Sequence, residues 1–302
     1  MSRLLNTTVL ACGLAGGCWA ARCTTVLDPA ILPEYDNYVA AAERAMPARF
    51  DSGELRWLPD SASKEAAARL ASGKLVRWNI GDAALNRRLA GRNGAVIHWI
   101  GAIRIHGASL ADLKSVLEDY DAYDRIYAPM VFACKAKRAG EGPGAVYDVT
   151  LGLRSAFRFA SIFPQHYAFQ IKGRIYQVDA NPAEPALSVH LDASEIRESD
   201  SGEPGRSDLL ERYHDHGIMW ALNAYWRARR QGPDIYLEVE SITLARSVQA
   251  FACTLGFFPV PKAVVTAAME TLPADTLTII LEATRAECER RASRQPLNAA
   301  GR

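Results

Sequence analysis

Glu238 and Glu240 stand two residues apart, a spacing that puts both carboxylates on one face of an extended chain. A pair of acids held away from water is raw material for general acid–base catalysis, so their surroundings matter. The segment Gly217–Arg229 precedes them, with Gln231-Gly232-Pro233-Asp234 supplying turn chemistry between. Antiparallel pairing across that turn brings Asn223, Tyr225 and Arg227 onto the face of the two glutamates. That face is either a charge ladder in solvent, worth roughly 0.2–1 kcal/mol per pair, or a set of polar anchors inside a cavity. The solvent account is favoured, because Trp220, Leu222, Trp226, Ile235 and Leu237 on the other face need burial more.

Other chemistry-bearing groups are sparse. His214 and His216 point the same way on a strand, but a zinc site needs a third ligand, and only Glu211 is near in sequence. A polar strand start relaxed by Gly217 accounts for them, so no metal is assigned. Six cysteines form no C-x-x-C pair. Cys12 and Cys18 fall in the first twenty residues, and Cys23, Cys134, Cys253 and Cys288 are widely scattered. One disulfide among these four stays open, and a buried free thiol is favoured for Cys134. No G-x-S-x-G, P-loop or G-x-G-x-x-G pattern occurs, so neither a catalytic residue nor a cofactor is assigned.

The elements that must position these groups follow from periodicity. Ile218, Trp220, Leu222, Ala224 and Trp226 alternate with polar residues, as do Ile235, Leu237 and Val239, which predicts two half-buried strands. Strands are also predicted over 95–106, 130–139, 145–155, 167–178 and 186–197, separated by Gly-, Pro- and Asn-rich connections. Ser109 caps a helix over 110–120, a short helix follows at 123–127, and a long helix closes the chain over 257–291, with Pro273 kinking or restarting it. Its stripe is Leu277, Ile280, Leu281, Thr284 and Cys288. Upstream, helices are predicted at 33–45, stopped near Pro47, and at 63–71, with short strands at 54–58 and 74–80. Residues 21–93 therefore read as a mainly helical N-terminal extension packed on a main domain at 94–292, with a tail at 293–302.

Composition is that of an ordinary globular chain: 302 residues, 49% apolar, 23% charged and a net charge of +1. That balance gives no footprint for nucleic acid. Arginines at 227, 229 and 230 read as a solvated strand end, and those at 290 and 291 as a helix C-terminus. Residues 1–20 resemble an export signal: Arg3 precedes an apolar run from Leu4 to Ala15, Cys18 and Ala20 offer a cleavage site, and no acid occurs before Asp28. An uncleaved anchor and lipid attachment at Cys18 stay open. The expected location is the periplasm, free or membrane-anchored.

The order of strand, two helices, six strands and long helix is similar to the helix-grip fold of the START and polyketide-cyclase-like (SRPBCC) superfamily. The resemblance covers roughly residues 94–291. Strings such as His98-Trp-Ile-Gly-Ala102, Asp119-Tyr-Asp-Ala-Tyr-Asp124 and Leu281-Glu-Ala-Thr-Arg285 also look like a bacterial branch of it. The expected class is α+β, a curved antiparallel sheet wrapped around a long C-terminal helix. The resemblance implies a hydrophobic cavity for a lipid-, quinone- or sterol-like ligand, with transient membrane contact compatible. Its expected lining is Trp99, Tyr147, Leu151, Phe169, Leu191, Trp220, Leu222 and Leu237 from strands. Tyr120 and Tyr123 add to it from the first helices, and Leu277 and Leu281 from the last. The runner-up is a cyclase- or hydrolase-like enzyme using the carboxylates or a tyrosine. Oligomeric state is not legible.

Overall fold

A computed structural model describes residues 24–140, 145–159, 163–179, 186–199, 209–247 and 262–294. The candidate leader, Cys12, Cys18, Cys23, Cys253 and the tail beyond Arg294 lie outside the described residues. Helices α1 (Leu32–Asp51), α2 (Asp60–Ala71) and α3 (Ala83–Ala90) build the N-terminal region, with strands β1 (Thr25–Val26) and β2 (Val76–Asn79). Then come β3 (Gly94–Ile105), α4 (Leu110–Leu117), α5 (Tyr123–Ile126), β4 (Val131–Arg138), β5 (Ala145–Phe159), β6 (Phe163–Asp179) and β7 (Ala186–Ser199). The short β8 (His214–Asp215), β9 (Ala221–Gln231), β10 (Asp234–Arg246) and helix α6 (Lys262–Ala292) complete the described elements.

Eight strands form one antiparallel sheet in the order β2-β3-β10-β9-β7-β6-β5-β4, and β1 pairs with β8 in a separate ribbon. Helix α6 packs on one face together with α4 and α5. This is the expected α+β helix-grip architecture. Local chemistry explains its helix starts. The Ser109 side chain accepts from the Asp112 N–H while the Asp112 carboxylate accepts from the Ser109 N–H, a reciprocal cap on α4. The Asp82 carboxylate accepts from the N–H groups of Ala84 and Leu85 and starts α3, which the sequence reading missed.

The opposite face of the sheet is also covered. One apolar cluster joins Ile31, Tyr35, Val39 and Leu89 to Trp220, Ile242 and Leu244 of the main domain. Another joins Phe50, Trp57 and Leu70 to Ile100 and Tyr236. β2 extends the main sheet at its edge by pairing with β3. Two N-terminal expectations are corrected. Helix α1 runs through Pro47 to Asp51, and burial of Met46 and Phe50 in its last turns offsets the missing backbone donor. Residues 54–58 form turns, not a strand; Leu55 has φ 57° and its N–H donates to the Tyr236 hydroxyl at 3.3 Å.

Candidate apolar cavity and the buried charge network

Between α6 and the sheet lies a cavity of about 190 Å³. Its floor comes from alternate residues of the central strands: Leu222, Ala224 and Trp226 of β9, and Val239, Ser241 and Thr243 of β10. Val149, Leu151 and Leu153 of β5 form a side wall, and Pro273, Thr276, Leu277 and Ile280 of α6 form the roof. Pro273 therefore lies inside α6, with its ring on the cavity.

Six expected lining residues meet there: Tyr123, Leu151, Phe169, Leu191, Leu222 and Leu277. Trp99, Tyr120, Tyr147, Leu237 and Leu281 belong to the surrounding core and do not line the space. Trp220 is a correction: it lies in the cluster beneath the N-terminal helices. The expected strand from Gly217 begins only at Ala221, and bends at Ile218 and Trp220 break its alternation. Gly217 adopts φ +73°, where a Cβ would sit 2.6 Å from the Cβ of Arg246. Trp220 Nε1 then donates to Asp215 at 2.8 Å, and the Gly217 N–H donates to the same oxygen at 2.7 Å. The lining at Val131, Cys134, Val189 and Trp226 was missed. Their strands were legible, but which face meets α6 depends on packing between distant segments.

The tyrosines and the thiol of the cavity are held unreactive. The Tyr123 hydroxyl donates to the Leu117 carbonyl at 2.6 Å, and the Tyr127 hydroxyl lies 3.1 Å from Thr284 Oγ1. Burial pushes both phenols upward in pKa, with neighbouring tyrosines adding to the effect at Tyr123. Cys134 is a free thiol on the cavity wall, pushed up to about 12 by burial and by Asp121 and Asp124. At neutral pH it stays protonated and is a poor nucleophile.

The glutamates lie on the other face. Glu238 and Glu240 are 1% and 0% exposed, which overturns the solvent ladder and does not make them cavity anchors. Glu238 accepts from Arg227 Nη2 at 2.9 Å, from Trp57 Nε1 at 3.0 Å and from the Tyr236 hydroxyl at 2.7 Å. Glu240 is paired with Arg227 and Arg49 and lies 2.7 Å from His98 Nε2. His98 Nδ1 in turn lies 2.7 Å from the Tyr38 hydroxyl. Burial opposes ionisation of Glu240, but His98, Arg227 and Arg49 outweigh it and hold its pKa down to about 2. A carboxylate so committed is a poor base. Arg227 is thus buried rather than a solvated strand end. Arg229 is half-buried, donating to the Phe50 carbonyl at 2.7 Å with its guanidinium over that ring.

His216 is buried against Glu198, Nδ1 to Oε1 at 2.9 Å, while His214 is exposed beside Glu211 at 3.8 Å. Among the described residues no three potential ligands converge on a metal site.

Fold and cavity together define a helix-grip protein with a hollow, apolar grip. No family model matches the sequence, and no curated protein matches it. Solved structures similar to the chain include an aromatase/cyclase from Streptomyces sp. R1128, 16% identical, with 65% of this chain and 96% of that one covered at a TM-score of 0.40. Human STARD10 is 11% identical, with 79% and 85% covered at 0.42. A STAR-related lipid transfer protein from Xanthomonas axonopodis is 13% identical, with 69% and 98% covered at 0.35. The likeness is one of fold.

Proposed function

We propose that this protein binds and carries a small hydrophobic ligand between the sheet and α6. The observation that carries this reading is an apolar cavity whose tyrosine hydroxyls are hydrogen-bonded and whose thiol is held protonated. Ligand sites typically enclose roughly 300–1,000 Å³, so about 190 Å³ favours a compact ring or a single chain over a two-chain lipid. The carboxylates of the enzyme alternative lie on the opposite face of the sheet, committed to arginines, which weighs against it. Organic extraction of the purified protein followed by mass spectrometry should release a compact quinone-, sterol- or fatty-chain-like molecule. Extracts that stay empty, with no uptake of apolar fluorescent probes, would sink the carrier reading.

A further inference from the structure

The cavity floor is not uniformly apolar. Ser241 and Thr243 are half-buried and line the cavity, and their side-chain hydroxyls have no hydrogen-bond partner among the described residues. Ser241 sits between Trp99 of β3 and Ala224 of β9, while Val239 sits opposite Trp226. The indole nitrogens of Trp99 and Trp226 on this same face are buried and without an acceptor. Buried donors are nearly always satisfied, and the indole can only donate. The tyrosine hydroxyls nearby are already engaged by Leu117 and Thr284.

Resting on the carrier reading, we propose that the strip of Ser241 and Thr243, flanked by Trp226, orients the ligand by binding an acceptor oxygen. Each hydroxyl can donate to a ligand and the Trp226 indole can only donate, so the strip favours a carbonyl oxygen over a plain hydrocarbon. The ligand class is therefore a compact, largely apolar ring system carrying a ketone or quinone oxygen.

A matched pair of probes tests this on the full chain: 2-acetylnaphthalene, which carries a carbonyl, and 2-ethylnaphthalene, its near-isostere without one. Tryptophan quenching or calorimetry should show the ketone binding about tenfold more tightly, equivalent to about 1.4 kcal/mol. The double variant Ser241→Ala/Thr243→Val should bring the two probes to within about twofold, with 2-ethylnaphthalene affinity and the thermal midpoint unchanged. Equal binding of both probes to the wild type, or a ketone preference that survives the double variant, overturns the strip while leaving the cavity reading standing. Failure of both probes to bind overturns the cavity reading and the strip with it.

Discussion

Strand β10 faces two different interiors. Towards α6 it presents Val239, Ser241 and Thr243 to a hollow, mostly apolar space; towards α1–α3 it presents Glu238, Glu240, Ile242 and Leu244 to a filled one. On the hollow side the hydroxyls of Ser241 and Thr243 have no partner among the described residues. On the filled side ionised groups are matched: Glu240 has Arg49, Arg227 and His98, and Glu238 has Arg227, Trp57 and Tyr236. A ligand-sized gap is tolerable only where few charged groups need satisfying, because an unpaired buried charge costs far more than an unfilled apolar void. The charged face is therefore the filled one, and the apolar face is where open space remains.

The largest test of this division is Glu240→Leu, which takes the carboxylate from Arg49 and His98 and leaves Arg227 with Glu238 alone. Breaking a buried pair from one side typically costs about 3–5 kcal/mol, and chemical denaturation should show a loss of that order. A loss below about 1 kcal/mol would mean that the network does not hold the N-terminal helices to the sheet.

Trp220→Ala comes next. Removal of a fully buried indole bonded to Asp215 should cost about 3–5 kcal/mol by the same measurement. Binding of an apolar probe should be unaltered, because Trp220 lies on the filled side. Weakened probe binding at retained stability would put it on the cavity after all.

Acid should loosen the filled face first. The Glu240 pKa is depressed in the fold, so its contribution is complete above about 4.5 and is lost as pH falls towards about 2. The shift corresponds to about 3 kcal/mol. Hydrogen exchange of α1 amides should accelerate across that window, ahead of amides in β5 and β6. Simultaneous loss in both regions would show that the two faces are not separable.

Leu222→Ala, on the hollow side, should have the smallest effect. Typical Leu→Ala costs run from about 2 to 5 kcal/mol, and a side chain already bordering empty space belongs near about 2. The variant should admit bulkier apolar probes than wild type. A cost near 5 kcal/mol with no gain in probe size would mean that the space is packed in solution.

Much of the fold could be read from local pattern. The strand–helix–helix–strands–helix order came from alternation, Gly/Pro connections and the Ser109 cap, all of which act within a few residues. Half of the expected lining residues border the apolar space, mostly at strand and helix positions whose apolar stripe has one dominant side, such as Leu151, Phe169, Leu191 and Leu277. Trp220 was misplaced because the alternation was extended through the bends that follow Gly217.

By itself, the sequence determined that Ile235, Leu237 and Val239 face one way and Tyr236, Glu238 and Glu240 the other, because an extended chain alternates side chains regardless of its surroundings. It could not determine that the polar side is also interior. That was decided by Arg49 and Trp57, 191 and 181 residues from their glutamate partners, on a layer folded back over the sheet. A polar stripe is the same string of letters whether water or an arginine satisfies it. Only the tertiary structure, by bringing distant donors within hydrogen-bond reach, makes burial of the charge affordable.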